Sequence, residues 1–397
     1  MLQAQHLPLL KQSVTVTAIS SFFDEFAMKN PIGHFFWLDL IRFLAALVVV
    51  LGHVKAATFV EFFDLIESDK SFIIAAAFGF ARLGHEAVLL FFVMSGFLVG
   101  GRAIERMIKG SFRPYDYAID RIVRIMLPLV PALILTMIIR LIIDGNFDPL
   151  HLVGNLFSLQ GIVVPPFGEN IPLWSLSYEV WFYFLAFIVG VAFKNGVLST
   201  SIQVSLITVF LVFSVLNATY LFCWLVGAMA FLTLPDHFKW TTFIFSCVLC
   251  LLSIFAIQVG VTDLPESLLY IEHLAPSPNI SRLLFSLSVA LLLQQLIRIE
   301  PKGQALIKLE AAGTVLALSS YTLYLTHLPI IQLLIFMGIE KKDSIGLASV
   351  SIFILVTVVC LLASWLLYLM FEKHTILVRL YIKTKFRFIG SNVSSRN

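Results

Sequence analysis

WLDLIRFLAALVVVLGH, residues 37–53, is apolar enough to lie in a bilayer and yet carries Asp39, Arg42 and His53. A membrane span needs about 20 mostly apolar residues. This run continues to residue 57 and supplies them. A charge inside such a segment costs several kcal/mol and is a functional candidate by default. From Arg42 to His53 the helix turns by about 1100°, some 20° past three full turns, over a rise of about 16 Å. Both side chains therefore share one helix face. Asp39 lies three residues before Arg42 on the same side and can pair with it. A polar seam that pairs helices would explain Asp39 and Arg42 by themselves. His53 favours function, because an imidazole titrates near neutral pH and can move protons.

The rest of the chain has the same character. Of 397 residues, 59% are hydrophobic and 13% charged, and the mean hydropathy is +0.95. A soluble domain is about a quarter charged, so the composition excludes one water-soluble core. A net charge of +3 gives no reason to expect nucleic acid. The four cysteines lie in apolar runs. Cys247 and Cys250 have no second ligand pair nearby, so no metal is expected and buried small hydrophobes are. Residues 1–34 lack the features of a cleavable signal peptide and read as a cytoplasmic segment.

Apolar runs near 37–57, 73–99, 125–143, 172–193, 202–217, 219–234, 242–261, 282–297, 315–338 and 346–371 predict an all-α polytopic membrane protein of about ten transmembrane helices. The fifth and sixth read as a tight helical hairpin, and the second as a broken or tilted pair. Lysine and arginine gather in the 100–124 loop, between the eighth and ninth spans, and in the 373–397 tail. The 144–171 and 262–280 loops carry neither. Basic loops stay inside, which puts both termini in the cytoplasm and a membrane domain at 35–372. Nothing after the last span is long enough for a soluble domain.

Glu179 in PLWSLSYEVWFY (172–183) and His327 in SSYTLYLTHLP (319–329) lie at a depth comparable with His53. Three ionisable groups at one level point to an active site or a proton path. His85 and Glu86 sit at the outer end of the second span, and Ser95 and Gly96 read as a close helix contact.

These segments together resemble the acyltransferase-3 family of membrane O-acyltransferases. The matching pieces are Arg42 with His53, FFVMSGFL (91–98), RIVRIMLP (121–128), WSLSYE (174–179) followed by Phe182 and Tyr183, and YTLYLTH (321–327), in family order. The resemblance implies a ten-helix bundle that takes an acyl group, acetyl in most members, from cytoplasmic acyl-coenzyme A. The group goes to a hydroxyl of a surface polysaccharide or lipid-linked sugar. It also implies roles for Arg42, His53, Arg121, Arg124, Glu179 and His327. On chemical grounds His53 takes the acceptor proton, Glu179 orients or balances an imidazole, and His327 positions the acceptor or carries a second proton; the sequence leaves the two histidines interchangeable in these roles. Arg121 and Arg124 suit the coenzyme phosphates, with Arg42 guiding the arm. The competing class is a transporter that uses the same groups as a substrate or proton pathway. A scaffold without catalysis fits the buried charges poorly.

Overall fold

A computed structural model describes residues 36–196, 199–261, 277–299 and 316–394, with side chains up to 385. The N-terminal segment 1–34 and the acidic 262–276 stretch fall outside the described residues. Among the described residues fourteen α-helices follow in order. They are α1 (Phe36–Thr58), α2 (Phe72–Ala81), α3 (Gly84–Ser95), α4 (Arg102–Ile108), α5 (Pro114–Asp144), α6 (Pro149–Leu156) and α7 (Trp174–Asn195). After them come α8 (Thr200–Val215), α9 (Thr219–Leu232), α10 (Trp240–Val261), α11 (Pro278–Leu296), α12 (Ser320–Phe336), α13 (Leu347–Met370) and α14 (Thr375–Ser394). No strand occurs among the described residues, so the all-α polytopic class holds.

The span count is lower than ten. Among the described residues seven helices are long and apolar enough to cross a membrane, or eight if α8 and α9 form one bent span. Those two helices have 16 and 14 residues and meet at 118°. Each alone falls short of the bilayer thickness. Helix α12 has 17 residues and is also short. The second run divides as expected. Helix α2 stands apart, and the long helical segment is Gly84–Ile108. The 100–124 stretch is not one loop, because α4 begins at Arg102 and α5 at Pro114. Proline at a helix start is preorganised for it, and α5 thus carries Arg121 and Arg124 within its first turns.

The lipid-facing surface is written in α10 and α13. Leu251, Leu252 and Phe255, with Ile354, Leu355 and Leu362, are exposed on the protein surface, as an apolar solvent permits. The buried side of α1 presents Ala46, Val50, Val54 and Ala57 at helical spacing. They pack on Leu323, Ile330 and Ile331 of α12 and on Val356 and Cys360 of α13.

Small residues set another crossing. A Cβ on Gly96 would strike the Trp224 carbonyl, and one on Gly227 the Val93 carbonyl. Backbones of α3 and α9 approach this closely only with glycine at both places, which is the helix contact expected at Gly96. From Gly96 to Gly101 the helix widens into a π turn before α4.

Candidate active site

His53 and His327 stand on the packed faces of α1 and α12, and the packing brings them together. The ring centroids are 5.0 Å apart, and His327 Nε2 lies 3.2 Å from His53 Nδ1. The backbone fixes the proton positions. His53 Nδ1 is 3.0 Å from the Val49 carbonyl, and His327 Nδ1 is 3.0 Å from the Leu323 carbonyl. A carbonyl only accepts, so both Nδ1 atoms carry hydrogen and both Nε2 atoms keep a lone pair in the neutral rings. The one His53 Nδ1–H is then shared between the Val49 carbonyl and the His327 lone pair. The remaining nitrogen, His53 Nε2, is left free as a proton acceptor.

A proline helps to hold His327. Pro329 has no N–H, so it cannot bond the carbonyl four residues back, at Leu325. The Asn170 side-chain amide donates to that carbonyl at 2.9 Å. Nearby, the Tyr324 hydroxyl donates to the Pro172 carbonyl at 3.0 Å and lies 2.7 Å from Ser175 Oγ. The start of α7 is thereby tied to the helix that carries His327. His327 is wholly enclosed.

His53 faces a cavity of about 460 Å³. Lys55, Glu61, Arg82, His85, Trp174 and Arg282 also line it. The Lys55 ammonium donates to Glu61 at 2.8 Å, and that bond holds the Glu61 carboxyl below its ordinary value.

The other end of α1 has a different chemistry. Arg42 pairs with Asp39 at 3.2 Å, as the spacing predicts. It lies within electrostatic range of Arg124, Tyr183 and Glu179. The Arg124 guanidinium bonds Glu372 and sits 5.2 Å from the Tyr321 ring. Glu372 is enclosed and also accepts from the Thr322 amide and hydroxyl. Arg121 sits 5.4 Å from the Tyr183 ring. The six predicted residues therefore form two groups. His53 and His327 meet at one end of α1, and Arg42, Arg121, Arg124 and Glu179 gather toward the other.

Glu179 is placed otherwise than expected. It accepts a hydrogen bond from the Tyr183 hydroxyl at 2.5 Å, and no bond to either imidazole is present among the described residues. The Tyr183 hydroxyl also lies 3.1 Å from Ser95 Oγ, which accepts from Trp224 Nε1 at 3.2 Å. Sequence reasoning missed Tyr183 and Asn170 as site residues. Tyr183 had a signal, since it follows Glu179 by four residues on one helix face. Asn170 had none, because its target is a carbonyl 155 residues away.

A model of the acyltransferase domain that defines the acyltransferase-3 family matches residues 35–369. The chain belongs to the acyltransferase-3 family. The match runs from α1 through α13 and takes in both groups of site residues. No curated protein and no solved structure matches this acyltransferase. Among its described residues no cluster of three or more histidine, cysteine or carboxylate side chains is arranged to hold a metal ion. Its cysteines are all free, and the Cys360 thiol points at the His327 carbonyl at 3.8 Å.

Proposed function

We propose that this membrane acyltransferase moves an acyl group, acetyl as the leading expectation, from cytoplasmic acyl-coenzyme A to a hydroxyl of a surface polysaccharide or lipid-linked sugar. The observation that carries this reading is His53, which faces an open cavity and has His327 behind it. The arginine end of α1 then faces the cytoplasm of the plasma membrane, with both termini on that side. Arg121 and Arg124 receive the coenzyme phosphates, for which guanidinium forks are well shaped. Arg42 guides the arm, which carries the thioester along α1 toward His53.

The acceptor hydroxyl gives its proton to His53 Nε2 as its oxygen attacks the thioester carbon. The new C–O bond forms, the C–S bond breaks, and the proton passes from His53 to the departing sulfur as coenzyme A thiol. While His53 is cationic, its Nδ1–H is shared between the Val49 carbonyl and the His327 lone pair. His327 thus does for His53 what a carboxylate does in a triad. Glu179, engaged with Tyr183, serves the donor end in this reading.

The test is acceptor-dependent release of coenzyme A by the purified protein in vesicles. His53→Ala should remove it while the protein inserts and packs normally. Unchanged release by that variant would sink the assignment. Uptake of intact solute without thioester consumption would mark a transporter instead.

A further inference from the structure

The cavity over His53 holds more cationic character than proton transfer calls for. Among the described lining residues Glu61 is the one carboxylate, and it is bonded to Lys55. Arg82 and Lys341 lie in electrostatic range of the same Glu61. Arg82 caps the end of α2 and stands exposed at the rim. Arg282, on α11, is partly buried. Its guanidinium donates through Nη1 to the neutral Asn279 amide oxygen at 3.0 Å and sits 5.6 Å from the Tyr220 ring. Its Nε has no partner. Neither arginine forms an ion pair with a described residue. Glu86, behind the wall, accepts from Gln258 at 2.7 Å and eases the cost of the nearby charges without bonding them.

A guanidinium has five N–H donors, and among the described residues Arg282 uses one. The unspent donors match the oxygens of a phosphate or carboxylate, which guanidinium groups grip in pairs. Beside them His85 Nε2 is unpartnered, and its ring is stacked on Trp174 with centroids 6.1 Å apart and planes 10° apart. The cavity size of about 460 Å³ is that of a small-molecule site.

We infer that the acceptor is an anionic sugar derivative whose phosphate or carboxylate is held between Arg282 and Arg82 while one of its hydroxyls reaches His53. The inference rests on the reading of His53 as the base, but the anion site is testable without any transfer. Full-length protein in detergent, with no acyl-coenzyme A, is titrated with glucose 1-phosphate, glucuronate, methyl glucoside and inorganic phosphate. At least one of the two anionic sugars should bind ten-fold or more tighter than methyl glucoside. Which of them leads tells a phosphate from a carboxylate. Inorganic phosphate should bind more weakly than the leading sugar, because it leaves the Trp174 side empty.

Arg282→Gln should abolish the preference, Arg82→Gln should reduce it, and Arg282→Lys should keep part of it. The comparison among probes on the unaltered protein guards against a variant that fails to fold. Equal affinity for charged and neutral sugars, no binding at all, or a preference that survives Arg282→Gln in folded protein would each overturn the inference. Selective binding without any acyl transfer would instead reject the transferase reading and leave the anion site standing. Transfer to neutral and charged sugars at equal rates would do the reverse.

Discussion

At the scale of single residues, the two imidazoles are unequal partners. His53 borders the cavity, and His327 is sealed behind it. Loss of a general base typically costs about 10²–10⁴-fold in rate. His53→Ala should fall by that much in transfer kinetics. His327→Ala should fall by less, because the proton acceptor remains and only its support is gone. Equal losses in the two variants would refute the ordering. The nearness of the two histidines was legible in the sequence because each is a polar group inside an apolar helix, at matching depth. The place of Glu179 was not. Counting residues gives depth only from an assumed membrane boundary, and the direction of a side chain depends on how the helix is rotated against its neighbours. Both together put the Glu179 carboxylate on Tyr183, toward the arginine end of α1.

At the scale of elements, Asn170 and the two glycines of the α3–α9 crossing carry the clearest consequences. Asn170→Ala leaves the Leu325 carbonyl buried and unbonded. The expected cost is roughly 1–3 kcal/mol, read as a lower melting temperature in detergent, together with reduced turnover because His327 loses its brace. Gly227→Val places a side chain against the Val93 backbone. It should force the helices apart and yield protein that aggregates in size-exclusion chromatography. The long apolar helices were readable from apolar runs, whereas their boundaries and the helices α4, α6 and α14, read as loops and a tail, were not. Arg121 and Arg124 read as loop residues because charge suggested water. Pro114 was the signal for an earlier start.

At the scale of the whole molecule, the ends of α1 divide the labour. Arg121→Ala with Arg124→Ala should weaken acyl-coenzyme A binding in a titration. His53→Ala should leave that affinity intact while transfer stops. A fall in donor affinity in both variants would mean that the two groups do not act as separate sites. The count lower than ten also belongs to this scale. The break between α8 and α9 falls where the sequence reads a hairpin, but α8, α9 and α12, with 16, 14 and 17 residues, are each too short to span alone, and apolar runs do not mark where a helix stops.

The π turn at Gly96–Gly101 bears on how this chain tolerates change in length. A π turn accommodates one extra residue within an otherwise α-helical course. Elsewhere in a packed helix, dropping one residue swings everything beyond it by about 100° and ruins the fit. Here the widened turn already holds the surplus. Deleting Val99 should tighten it to ordinary α geometry and leave Ser95 and Arg102 in phase on their own faces. The same deletion at Val48, inside α1, should throw Arg42 and His53 out of phase. Expression and folding of the two deletions, compared side by side, should show the first accepted and the second rejected.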